Sequence, residues 1–194
     1  RLRRLTANSL ASAGLTEVMA YPFVSEGSNN LFGAAVAGPV AAMKLANPLD
    51  PDAAWMRTSL IPGLIQVARR SLPRGLTNLA LFELGAVVLP EPGVSYGTSE
   101  LPVGDARPSD EVLAGLRAAI PPQPWHVGAL VLGEAVPKQP GQAAVSSGLS
   151  DVLGVVSQLA HVLAVSIEVT TGVHQGLHPG RTAELRVGDR LVGY

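Results

Sequence analysis

Met56-Arg57-Thr58-Ser59 sets one arginine between a methionine and two hydroxyls, in a chain where only 15% of residues are charged. A guanidinium just ahead of a helix can grip a phosphate or a carboxylate, because backbone N–H groups and the helix dipole favour anions there as well. It can equally close the loop before it, Asn47 to Asp52, by bidentate bonds to Asp50, Asp52 or backbone carbonyls. The structural clamp is preferred. Glu83 is the one charge in NLALFELGAVVL, residues 78–89. In such surroundings a carboxyl is either an acid of raised pKa or the partner of an arginine, for which Arg57 and Arg181 are candidates. His174 and His178 stand four apart, a spacing that ligates metal on a helix. Gly172, Gly176, Pro179 and Gly180 oppose a helix there, and beyond Glu168 and Glu184 no third ligand is near, so no metal site is predicted. His178-Pro179-Gly180-Arg181 reads as a turn whose arginine is its one reactive group. Neither a Walker-type phosphate loop nor a G-x-G-x-x-G turn occurs. Nothing here assembles an active site.

Composition narrows the field further. Hydrophobic residues make up 47% of the 194 residues, ample for one sizeable core. The net charge of −1 leaves no electrostatic footprint for nucleic acid, which disfavours direct capture of tRNA or DNA. Cysteine is absent, removing disulfides and thiolate chemistry together. No apolar run approaches the roughly 18 residues that would suggest a membrane span, and no signal peptide opens the chain. A cytoplasmic, soluble protein is expected. The missing initiator Met and a final Leu191-Val192-Gly193-Tyr194 that reads as mid-strand suggest a segment of something longer.

The elements that would position these residues follow from periodicity. Residues 2–13 form a helix candidate, with Leu2, Leu5 and Leu10 on one side and Gly14 as its stop. Residues 15–23 and 40–46 are strand candidates, separated by a Ser/Gly/Asn-rich turn. Thr58 or Ser59 can cap a helix over 59–72, with Pro62 in its first turn and Leu60, Leu64, Ala68 and Leu72 as its apolar stripe. Residues 78–89 predict a central strand covered on both faces. A Pro/Gly-rich loop or insertion spans about 90–124, helical only over 109–120. A strand over 125–133 comes next. A helix over 149–163 then turns Leu149, Val152, Leu153, Val156, Leu159, Ala160 and Leu163 inward and Asp151, Gln158 and His161 outward. Strands over 164–170 and 183–187 lead to a hairpin turn at Gly188-Asp189. The pattern favours an α+β fold with a mostly antiparallel sheet flanked by helices.

Four blocks, Asn47-Pro48-Leu49, Met56 to Leu64, Leu81 to Gly85 and His178 to Ala183, occur in an order and spacing that resembles the beta subunit of bacterial phenylalanyl-tRNA synthetases. Gly14 to Val18 and Tyr21-Pro22-Phe23 are similar to that family's passage from helix to strand. The resemblance covers nearly the whole chain and falls on the subunit's synthetase-like core domain. Two departures stand out: residues 142–156 replace an aromatic-rich Lys-Gly block, and 90–145 carries few family signals. The resemblance implies a class II aminoacyl-tRNA synthetase-like fold over 1–194, within a longer chain. It implies a catalytically silent copy of the alpha subunit's domain, packed against the catalytic alpha subunit in an (αβ)2 phenylalanine–tRNA ligase that uses ATP. ATP and Mg would be held elsewhere in that holoenzyme and tRNA met through it, so no cofactor or metal is expected in this segment.

On this resemblance Asn47, Pro48, Met56, Arg57, Thr58, Ser59, Pro62, Gly63, Glu83, Gly85, His178, Pro179, Gly180 and Arg181 become structural or interface candidates, and none is expected to be catalytic. Active class II sites set an arginine on the central strand, and a second within a Gly-rich element, against the phosphates of ATP. Leu81-Phe82-Glu83-Leu84 offers none, and adenylate chemistry needs that charge. Arg57 is therefore expected to pin the 47–58 loop through Glu83, while helices 2–13 and 59–72 offer apolar stripes for a partner. Two other readings compete: an independent nucleotide- or amino-acid-binding enzyme with a site around Arg57, Glu83 and Arg181, and a tRNA-contacting module.

Overall fold

The computed structural model describes residues 1–35, 38–98, 102 and 104–194. Within it α1 (Leu2–Ser12) leads through Gly14, which has positive φ, into β1 (Thr16–Glu17). β1 pairs in parallel with β4 (Leu79–Ala86), and β4 pairs antiparallel along its whole length with β5 (Trp125–Leu132). β4 is thus the middle strand of the order β1-β4-β5, as its apolar run predicts. Helices cover both faces. Leu10 of α1 and Val155 of α5 (Leu149–Leu163) meet Phe82 on one side. On the other, α3 (Ile61–Ser71) lies so close that a methyl added at Gly128 would sit 3.0 Å from Leu60 Cβ and Leu64 Cδ1.

A second sheet, of order β10-β9-β8, is built from β8 (Glu168–Thr171), β9 (Ala183–Val187) and β10 (Arg190–Gly193), all antiparallel. Its hairpin turns at Gly188-Asp189, with Gly188 at φ +56°. The 109–120 prediction becomes α4 (Asp110–Ala118), capped by the Ser109 hydroxyl, which accepts from Val112 N at 3.3 Å. Part of the 90–124 loop lies outside the described residues, as do two residues of the turn ahead of residue 40. β6 (Glu134–Val136) and β7 (Val145–Ser146) make a small two-stranded piece that periodicity does not show.

Several expectations are corrected. The 15–23 strand breaks into β1 and β2 (Phe23–Val24), since only Thr16 and Glu17 pair in register with β4 and Val18 adds a single N–H bond to Phe82 O at 2.8 Å. The 40–46 strand reduces to a bridge of Lys44 to Trp55 in β3 (Trp55–Met56), flanked by Leu45 N to Ala54 O at 2.8 Å. The Ser/Gly/Asn turn contains a short helix, α2 (Glu26–Phe32), because the Ser25 hydroxyl caps it at Ser28 N. On α1 the buried residues are Thr6 and Leu10, while Leu2 and Leu5 are exposed. On α5 only Val155 is buried, and Gln158 faces inward to donate to Ser9 Oγ at 2.6 Å. The helix turns toward α1 because that polar contact and Val155 share a face that apolar counting alone assigns to solvent. The Thr58/Ser59 cap is also revised. Leu60 occupies the cap position without a side-chain bond, although Ser59 Oγ accepts from Ile61 N at 3.3 Å.

Candidate functional site

Arg57 follows β3 and is buried, 6% exposed. Its backbone N–H donates to Pro22 O at 2.8 Å and its carbonyl accepts from Val88 N at 2.9 Å, so both ends of the residue are tied to neighbouring segments. From there the guanidinium reaches under β4. Nη1 donates to Glu83 Oε1 at 2.6 Å and Nε to the carbonyl of Ala86 at 3.1 Å. Glu83, 1% exposed, thus faces a full positive charge inside the core. Its Oε2 has no hydrogen-bond partner among the described residues and lies beside Gly63. Gly85 is required by the close approach: a methyl there would overlap Arg57 Nη2.

The rest of the block is wired just as tightly. Asn29, 1% exposed, donates from Nδ2 to Met56 O at 2.9 Å, and its Oδ1 accepts from both Thr58 N and Thr58 Oγ1 at 3.0 Å. Asn29 was missed in the sequence because an Asn in a Ser/Gly/Asn run reads as turn, and its partners lie in a segment far along the chain. The clamp onto Asp50 and Asp52 does not form. Asp50 Oδ1 instead accepts from Asp52 N at 2.9 Å, closing its own turn. Asn47 and Pro48 lie in that same exposed loop. Pro62 and Gly63 are buried in the first turn of α3, where the missing N–H of proline costs little.

Arg181 does not join the pair. It is exposed on the loop between β8 and β9, and its backbone N–H donates to His178 O at 3.0 Å. His178 and His174 each accept at Nδ1 from the N–H two residues on, Gly180 and Gly176, both at 3.1 Å. Each imidazole thus serves its own turn, and no group of metal-holding side chains forms among the described residues. His174 is 7% exposed and packs edge-on to Tyr194, with ring centroids 4.9 Å apart, and burial lowers its pKa below 6.5. Pro179 and Gly180 complete the turn. The pentapeptide Gly93-Val94-Ser95-Tyr96-Gly97 spells the serine-hydrolase pattern but lies in loop, with no strand before it and no helix directly after, so it is no nucleophile elbow.

A buried cation neutralised at once by a carboxylate and a carbonyl can lock loop, helix start and central strand together, and it has little to offer a ligand. The family profile of the phenylalanyl tRNA synthetase beta chain CLM domain matches residues 1–194. The chain belongs to this beta-chain family. The chain is 53% identical over its whole length to the phenylalanine–tRNA ligase beta subunit of Leifsonia xyli subsp. xyli, and 37% identical to those of Nocardia farcinica and Thermobifida fusca. It spans 23%, 23% and 24% of those relatives' lengths. A pyrrolysyl-tRNA synthetase from Desulfitobacterium hafniense has the same fold, with a TM-score of 0.60, 12% identity, 98% of this chain covered and 55% of the other. A second structure of that synthetase gives 0.61. The fold is therefore the α+β architecture of class II synthetases. No helix among the described residues is long and apolar enough to cross a membrane.

Proposed function

We propose that this chain is the catalytically silent synthetase-like module of a phenylalanine–tRNA ligase beta subunit, packed against the catalytic alpha subunit in an (αβ)2 enzyme of the cytoplasm. One observation carries the reading. The guanidinium at the central strand is spent inside the protein, on Glu83 Oε1 and Ala86 O. Adenylate formation needs fixed positive charge where the phosphate oxygens sit, and this cation is already neutralised. Packing supports the same reading, since Leu60 and Leu64 fill the sheet face over Gly128. ATP, Mg and phenylalanine belong elsewhere in the holoenzyme, which also meets the tRNA.

Partner packing has support in exposed apolar side chains. Met19 and Tyr21, alternate residues of the extended stretch between β1 and β2, are 93% and 84% exposed, while Ala20 between them turns inward toward Gly63. Leu2 and Leu5 of α1 are exposed as well. Such a row is what an interface core covers. The full-length beta subunit alone is expected to show no phenylalanine-dependent ATP–pyrophosphate exchange, and to gain it on forming a stable complex with the alpha subunit. Exchange by the beta subunit alone would refute the proposal.

A further inference from the structure

Between Asp52 and Glu83 the chain contains no acidic residue but four arginines. Arg57 is neutralised internally, which leaves Arg69 and Arg70 on the last turn of α3 and Arg74 on the 3₁₀ turn that follows. All three are exposed, and none has an ion pair or a side-chain hydrogen bond among the described residues. Gln66, one helical turn earlier, lines an open cleft of about 350 Å³ with Arg69 and Arg70. Gln66 and Arg70 stand one turn apart on the outer face of α3, Arg69 adjoins Arg70, and Arg74 follows on the 3₁₀ turn, so the arginines make a short basic stripe at the C-terminal end of the helix. The opposite face, Leu64 and Ala68, is buried against the sheet and holds the stripe rigidly outward. With a net charge of −1 over the whole chain, this local excess is a segregation of charge onto one helix, and overall composition conceals it.

We propose that this stripe is a docking surface for the phosphate backbone of RNA, and that it makes the beta subunit's synthetase-like module a direct contact for tRNA; the proposal rests on the reading above that the chain works within a tRNA ligase. Guanidinium groups bind phosphate bidentately and carry no base preference when they meet only the backbone. No acidic residue between Asp52 and Glu83 offsets these arginines, so a polyanion fits the stripe better than an apolar-centred protein contact, although Leu72 and Leu76 are exposed nearby.

The test uses the assembled full-length ligase and transcribed tRNA, cognate and noncognate, with binding measured across a series of KCl concentrations. Arg69→Ala, Arg70→Ala and Arg74→Ala together are expected to make the slope of log affinity against log salt shallower by about two to three, since each phosphate left without its arginine takes roughly 0.7 to 0.9 off the slope. The loss should be equal for both tRNAs, and the triple Arg→Lys variant should keep the slope. Gel filtration with the alpha subunit runs alongside. An unchanged slope in a normally assembled Ala variant overturns the RNA contact while leaving the scaffold role intact. Loss of assembly in the Ala variant assigns the stripe to a protein interface and also overturns it. Failure of the wild-type subunit to assemble at all counts against the scaffold role instead.

Discussion

In β4, Leu81, Phe82, Glu83 and Gly85 are buried, whereas every residue of β8 is exposed. The first sheet lies between α1 and α5 on one face and α3 on the other, with an ion pair sealed beneath it. Among the described residues no helix makes more than slight contact with the second, and polar ties from the β8–β9 loop help hold it. The Gln175 backbone N–H donates to Ala35 O at 2.9 Å, and its side chain to Ala34 O at 3.2 Å and to Asn30 O. A sheet covered on both faces draws its stability from within, while one bound by edge contacts leaves its faces for something else to cover.

The two regions should respond to substitution on very different scales. Arg57→Met leaves Glu83 charged and unpaired in the core and is expected to cost about 3–5 kcal/mol in chemical denaturation of residues 1–194. Adding Glu83→Leu should recover most of that loss, because removing both charges is far cheaper than removing one; failure of the double variant to recover would show that the pair is not the lock. Gly128→Ala forces Leu60 and Leu64 away from β5 and should cost about 1–3 kcal/mol, read by the same denaturation and by faster amide exchange in α3. In the outer sheet, Arg186→Ala removes a half-exposed pair with Glu184 at 3.0 Å and should change stability by less than about 1 kcal/mol.

A smaller effect still concerns pH. Burial lowers the His174 pKa below 6.5, so the unfolded chain binds its proton more readily than the folded one. The neutral imidazole's contribution is therefore full above about 6.5 and is lost as pH falls through the lowered folded value. His174→Gln should flatten that part of the stability–pH curve, with its reporter in the second sheet; an unaltered acid limb would remove His174 from the explanation.

The first region was the more legible from residue order. A continuous apolar run predicts a covered strand, and β4 is one. Proline in the first turn and an i, i+4 stripe predict α3, whose Leu60, Leu64 and Ala68 are buried. The Gly188-Asp189 turn predicts the hairpin because the alternation around it is local. What escaped depends on distant partners. Whether residues 15–23 pair as a strand depends on which β4 residues reach them, and only two do. The inward turn of Gln158 depends on Ser9, and the importance of Asn29 on Met56 and Thr58. Glu83 could be named as one possible mate for Arg57, yet its selection over Asp50 and Asp52 rests on burial, which periodicity shows for β4 and not for the loop.

The most direct test is a crystal of the assembled ligase soaked with a nonhydrolysable phenylalanyl-adenylate analogue. The analogue should occupy the alpha subunit's site and leave the β4 face of this module empty, with Arg57 still on Glu83. Density for adenylate over β4, gripped by Arg57 released from its carboxylate, would contradict a module built to hold shape rather than substrate.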